Sequence, residues 1–339
     1  MELITVNSTI DNHFIPQEEV IIPQEEVIIS QEEVIISQGN FIEGNTEQVT
    51  LPQLKRECII PVYSDNESTI SHAQFIEATS EVIHDIFKGN QILQPNVRIS
   101  HVIKGRVPSA VGKTVKELRP EEKTIYYQRC AFMTELPTLK ENVNNNSLSL
   151  TIGGVRALNQ ENLYSKRSLE KFKVFIGFKN LVCTNLCIST DGLNADIRVS
   201  SITELKDKIY ELISSFDKDR FLGNMERMSK FYLDELQFAH TIGKMRMYNY
   251  LKKEEKVGKF SLLMTDNQIG TVVKSYYQDD NFHRDEDGSI NLWRFYNNLT
   301  EANKSSYIDS NLERNANAFE FVTGLANSMQ NQTENWFLN

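Results

Sequence analysis

An α+β fold, strands first and helices later, is predicted by one change of period and one change of composition. Between residues 97 and 200 apolar residues recur at every second position; beyond Ser201 they recur at helical spacing. Residues 1–50 carry ten acids and no Lys or Arg. The reading is a disordered acidic tail over 1–55 and a single α+β body over 56–339. Its strands fall mainly in 97–200 and its helices mainly in 201–330.

The tail contains a tandem repeat spanning 15–38. Ile15-Pro16-Gln17-Glu18-Glu19-Val20-Ile21 recurs at 22–28 and, with Ser in place of Pro, at 29–35. A heptad coiled coil needs apolar residues at separated a and d positions, and here three apolar residues stand in a row. Pro16 and Pro23 would each break a helix interior. Disorder is the reading adopted; the alternative is that Val-Ile-Ile units add as strands to a sheet edge. The tail also holds the whole charge imbalance: net charge is −10 for the chain, and the body beyond residue 50 is formally neutral. An acidic pI therefore does not argue against a nucleic-acid partner.

In the body, Ser71-His72-Ala73-Gln74 is a capping-box pattern, and Phe75, Ile76, Thr79, Val82, Ile83, Ile86 and Phe87 follow at helical spacing up to Gly89. Val97, Ile99, His101 and Ile103 alternate with Arg98, Ser100, Val102 and Lys104, which predicts a strand. Further strands are predicted at 124–134, at 147–152 after Asn144-Asn145-Asn146, at 171–178, at 182–189 and at 195–200. A second capping box, Ser201-Ile202-Thr203-Glu204, opens a helix with the stripe Ile202, Leu205, Ile209, Leu212, Ile213 and Phe216. Helical patterns recur at 224–250, 266–277 and 290–302, and in a last helix carrying Ile308, Leu312, Ala316, Phe319 and Val322.

Several classes are excluded. No apolar run approaches the roughly 18 residues of a membrane helix. The start, Met1-Glu2-Leu3-Ile4, lacks the basic and apolar regions of a secretory signal. Four cysteines in 339 residues do not make a disulfide scaffold. A cytoplasmic protein is expected.

No motif points to a cofactor or metal, and none is expected. Gly153-Gly154 lacks the Gly-Lys-Ser/Thr of a phosphate loop, and no Gly-x-Ser-x-Gly elbow occurs. Placing Gly288 sixth in a calcium loop puts His283 first and Arg294 last, which are not ligands. Cys183 and Cys187, if on one strand, stand about 13 Å apart, too far to share a disulfide or a zinc. His84 is expected on a solvated helix face and His101 in the core.

The charge-bearing strands are the candidate site. One places Arg98, Ser100, Lys104 and Arg106 opposite an apolar face. The other places Lys171, Lys173, Phe175 and Lys179 opposite Phe172, Val174, Ile176 and Phe178. Residues 98–119 hold six bases and one acid, and residues 164–179 five bases and one acid. A basic sheet face carrying an aromatic suits a phosphate backbone with stacked bases. The plainer alternative is a solvent-facing sheet surface whose lysines guard its edges.

Three stretches carry a resemblance. They are Ile99–Pro108, Phe175–Asn185 with its Val182-Cys183-Thr184-Asn185, and Leu292–Thr300 with its Trp293-Arg294-Phe295-Tyr296-Asn297, running on to Tyr307-Ile308-Asp309. They resemble a family of uncharacterised bacterial proteins found mainly on mobile elements, itself distantly similar to a phage/plasmid-like family of unknown function. The resemblance covers roughly 60–337 and leaves the repeat outside. It implies a mobile-element setting and carries over no catalytic residue.

The leading expectation is a non-enzymatic binding protein whose partner is single-stranded nucleic acid, held by Arg98, Lys104, Arg106, Lys171, Lys173, Phe175 and Lys179. A rival is a protein-interaction or anti-defence factor that binds a host or element-encoded protein. A second rival is an enzyme of unidentified type, motivated by His101 and the Asn/Asp/Tyr cluster after residue 296.

Overall fold

A computed structural model describes residues 39–58, 69–106, 108–110, 113, 115–156, 158 and 169–339. The repeat at 15–38 and the reading of it as disordered lie outside the described residues.

The elements run β1 (Thr46–Val49), α1 (Leu51–Glu57), α2 (His72–Ile86), β2 (Asn96–Ser100), β3 (Ile103–Arg106), β4 (Lys123–Tyr127), β5 (Cys130–Val143), β6 (Asn146–Arg156), β7 (Glu170–Asn180), β8 (Leu186–Cys187) and β9 (Leu193–Val199). Then follow α3 (Ile202–Ser215), α4 (Lys218–Met228), β10 (Tyr232–Leu233), α5 (Glu235–Tyr250), α6 (Lys253–Lys256), α7 (Asp266–Gln278), β11 (Ile290–Asn291), α8 (Leu292–Asn303) and α9 (Ile308–Asn331). The α+β order holds: the sheet is built before residue 200, and helices dominate after it.

The main sheet is antiparallel, ordered β1-β2-β5-β6-β7, with β9 beside the first half of β7 and β8 beside its end. Its spine is the β5–β6 hairpin. Asn144 and Asn145 both take left-handed φ, +48° and +63°, and Val143 faces Asn146 across the turn. Two consecutive left-handed residues make the turn whose twist matches a hairpin, and Asn tolerates that conformation. The register slips between Leu136 and Lys140, the stretch that contains Pro137, which has no N–H to give the ladder.

One face of the sheet packs on α2, α3 and α4. Phe75 of α2 lies 5.0 Å from the Phe132 ring and 4.7 Å from that of Phe172. Gly154 sits beneath it; a Cβ there would fall 2.5 Å from the Phe75 ring and 2.7 Å from the Lys173 carbonyl. Gly153, on the opposite face, would push a Cβ to 2.1 Å from the Phe132 carbonyl. The double glycine is thus a packing device that lets layers close over both faces of β6.

That second face is covered too. Phe41 and Ile42, before β1, and Ile308, Leu312 and Ala316 of α9 pack with Ala131, Met133, Val155, Phe175, Leu186 and Ile188. Fully burying a side chain of this size contributes about 1.5–3 kcal/mol.

Several local expectations are corrected. The stretch 124–134 divides at Gln128-Arg129 into β4 and β5, which belong to different sheets. Gln128 Nε2 donates to the Ser100 carbonyl (3.1 Å), and the Arg129 amide to Ser100 Oγ (3.0 Å). The pattern at 224–250 divides into α4 and α5, where Asp234 caps α5 in a capping box with Gln237. Val182–Ser189 is a turn and the two-residue β8, not a full strand. β1 and α1 occupy residues assigned to the tail, and Leu54 of α1 is buried.

His101 is exposed between β2 and β3, not in the core. The buried histidine is His72, at the start of α2, whose Nε2 lies 2.9 Å from the Gln128 carbonyl. Burial, followed by the nearby Arg156 charge, pulls its pKa down to about 3. The folded chain therefore holds His72 neutral, while the unfolded chain protonates it near pH 6.5. Stability from this site is complete above that pH and is lost as pH falls toward 3, at about 1.4 kcal/mol per unit. Urea midpoints of wild type and His72→Gln at pH 7 and pH 5 should show the wild-type loss, about 2 kcal/mol, and a flatter profile in the variant.

Candidate functional site

The polar face of β2 and β7 points away from the α2–α3 core, as its period of two requires, but it does not reach solvent. Lys173 is 2% exposed and forms an ion pair with Glu313 of α9, and its Nζ also donates to the Asp309 carbonyl at 2.5 Å. Lys179, 3% exposed, pairs with Glu135 of β5, which also accepts from Ser149 Oγ at 2.6 Å. Arg98 is buried; its guanidinium donates to Asn40 Oδ1 (2.8 Å), Thr46 Oγ1 (2.8 Å) and the Thr46 carbonyl (3.0 Å). Phe175 is fully buried among the residues of the second core. Lys171 is the most exposed of the described set and reaches Asp196 at 3.0 Å. Lys104 and Arg106 lie on β3, in the small β3–β4 sheet; their side chains are outside the described residues.

The expectation of a solvent-facing basic surface is thus corrected for Arg98, Lys173, Phe175 and Lys179. A window of sequence counts the bases but not their partners, because Glu135, Asp309 and Glu313 come from other elements. Unpaired, such charges would not tolerate burial; paired, they are the polar filling of a two-sided sheet.

Two of the three stretches behind the resemblance, 175–185 and 292–309, meet at one place. Asn180 ends β7, Thr184 turns the chain with φ +61°, and α8 packs against that turn. Asn180 Nδ2 donates to Asn297 Oδ1 (3.1 Å), Asn185 Nδ2 to the Asn297 carbonyl (3.0 Å), and Asn297 Nδ2 to the Trp293 carbonyl (2.9 Å). Trp293 Nε1 reaches Asn146 Oδ1 in the β5–β6 turn (2.7 Å), Lys304 Nζ the Cys183 carbonyl (2.5 Å), and Arg129 pairs with Asp309 (2.8 Å). Amides answering amides make a clamp, not a nucleophile with its base. Cys183 donates to Asn297 Oδ1 (3.7 Å), and burial pushes its pKa up to about 12. Burial likewise pushes Cys58 up to about 11 and raises Cys130 and Cys187 further. All four thiols are free. The thiolate is the reactive form, so a disulfide reagent at pH 8 should label the native protein slowly and find all four thiols once it is unfolded. Fast labelling of one native thiol would contradict this placement.

Asp285 and Asp287 do not cradle a cation. Asp285 holds Arg294 at 2.5 Å, and Gly288, at φ +85°, gives its carbonyl to Tyr276 Oη at 2.5 Å. Among the described residues no group of three His, Cys, Asp or Glu is placed to hold a metal ion. No helix among them is long and apolar enough to cross a membrane.

Exposed and half-exposed cations gather elsewhere, on α5, α6 and the chain that follows. Residues 244–259 hold Lys244, Arg246, Lys252, Lys253, Lys256 and Lys259 against Glu254 and Glu255. Each of these six lies outside every ion pair among the described residues. Aromatic rings lie between them. Lys244 Nζ stands 4.6 Å and Lys259 Nζ 5.4 Å from the Trp336 ring centre, and Lys256 Nζ 4.6 Å from that of Tyr248. Tyr250 is 78% exposed, with its hydroxyl donating to Asp266 at 2.8 Å. Within the pattern at 224–250, Lys244 and Arg246 look like the polar side of an ordinary helix. What distinguishes the six is that none has an ion pair among the described residues, which only the fold reveals.

The described residues define an α+β body in which an antiparallel sheet is covered by helices. A family described as a domain of unknown function with a "B. Theta Gene description" (DUF3871) matches residues 22–338. The chain belongs to this family. The match begins at Ile22, the first residue of the second repeat unit, earlier than the resemblance at 60–337 implied. No curated protein and no solved structure matches the chain.

Proposed function

We propose that the protein is a non-enzymatic single-strand nucleic-acid-binding protein whose contact surface is α5, α6 and the Trp336 turn. The observation that supports this reading is the set of six cations outside every ion pair among the described residues, beside the exposed Tyr250 and the half-buried Trp336. Phosphates supply the counter-charge these side chains lack, and an exposed ring supplies a stacking surface for a base. The mobile-element setting that the sequence resemblance implies is the context in which we place this activity.

A second reading has its own observation. Leu236 and Met247 of α5 are exposed, and Gly243 between them meets nothing within 4 Å, so the same helix offers an apolar stripe to a host or element-encoded protein. Salt separates the two. Retention on single-stranded DNA or RNA should fall steeply with salt, with a log–log slope of about −0.7 for each phosphate contacted. Tyr250→Ala should cost about 1–3 kcal/mol of binding if that ring stacks. A partner retained at high salt and resistant to nuclease would favour the protein reading.

A further inference from the structure

Next to that surface, a cleft of about 490 Å³ opens between α4, α9 and the turn from β8 to β9, a volume within the range of small-molecule sites. Its apolar floor is Phe221 and Phe319, whose ring centres lie 4.7 Å apart edge to face. Phe260 forms a wall. Its ring seats against α9 because residue 324 is glycine; a Cβ there would fall 2.8 Å from it.

The two arginines of α4 at this cleft differ in their partners. Arg220 is paired with Asp191 at 3.0 Å. Arg227 has no carboxylate partner among the described residues. Its Nη2 donates to Asn224 Oδ1 (2.9 Å) and its Nη1 to Gln330 Oε1 (3.4 Å), both neutral amides, and its Nε is buried without a partner. A half-buried guanidinium held by neutral amides has no carboxylate facing it and has donors to spare for an anion. The hydroxyls of Ser189 and Thr323, also buried at this cleft, have no protein partner. Asp191 and Glu320 on the same rim disfavour a long polyanion.

We infer that this cleft is a binding site for a small organic anion, with its phosphate or carboxylate at Arg227 and a flat apolar portion against Phe260 and Phe319. The site adjoins the α5–α6 surface at Lys259-Phe260, and the inference does not depend on the nucleic-acid reading.

The test titrates the full chain with phenyl phosphate, benzoate and neutral benzyl alcohol, followed by NMR. At least one anion should bind with a Kd on the order of 1 mM, as fragments of this size do, and benzyl alcohol about tenfold more weakly. Preference for phenyl phosphate or for benzoate identifies the anionic group. Arg227→Gln should weaken the anion about tenfold with the melting temperature unchanged. Should that variant unfold, Phe260→Ala, which removes a 40% exposed ring, should weaken both anions while the fold persists. The inference is overturned if neither anion binds at about ten times that Kd. It is equally overturned if benzyl alcohol binds as tightly, or if a folded variant binds as well as its parent.

Discussion

Lys173→Glu should leave the chain largely unfolded at room temperature. The substitution sets a new carboxylate against Glu313 and the Asp309 carbonyl, at a position 2% exposed. Removing one partner of a buried pair costs about 3–5 kcal/mol, and reversing its charge costs more; a whole domain has only about 5–15 kcal/mol. Lys173→Met combined with Glu313→Leu removes both charges and should recover most of the loss. Lys171→Glu, at a half-buried pair with a mostly exposed Asp196, should cost no more than about 1 kcal/mol. Urea midpoints of the wild type and the three variants check this. Equal midpoints for Lys173→Glu and Lys171→Glu would mean that α9 does not cover β7.

Trp293→Ala should cost about 3–5 kcal/mol, the largest effect of any single truncation in the clamp. The side chain is fully buried, packs on Tyr296, and ties α8 to the β5–β6 turn through Asn146. Trp293→Phe keeps most of the volume and loses the hydrogen bond, so it should cost about 1–2 kcal/mol beyond its packing change. If Trp293→Ala shifted the midpoint less than Trp293→Phe, the clamp would not hold the helical half to the sheet.

Much of the fold was legible because periodicity is local. Ser71 caps α2 and Ser201 caps α3 as the capping patterns predict, and Asn144-Asn145 makes the hairpin turn. The alternation in β7 correctly separated Phe172, Val174, Ile176 and Phe178 from Lys171, Lys173, Phe175 and Lys179. What alternation does not encode is whether the polar side meets water or a second layer. The covering residues, Phe41, Ile42, Ile308 and Leu312, stand far from β7 in sequence, and so do the acids that neutralise its lysines. β1 and α1 were hidden for a related reason: a four-residue strand and a seven-residue helix carry too little pattern to stand out beside an acidic repeat. The cations of 244–259 were in plain view, yet only the fold shows that they form no ion pair among the described residues.

The most direct measurement is single-strand binding by the full chain as a function of salt, for wild type, Lys171→Glu and Lys252→Glu/Lys253→Glu. The double variant should keep the wild-type melting temperature, because both lysines are exposed. It should bind more weakly and flatten the log–log slope by about 1.4, two phosphate contacts at about 0.7 each, while Lys171→Glu binds as the wild type does. The contrary result is a double variant with unchanged slope and affinity, or a wild-type chain that does not bind single strands at low salt. Either would remove the α5–α6 surface as a nucleic-acid contact.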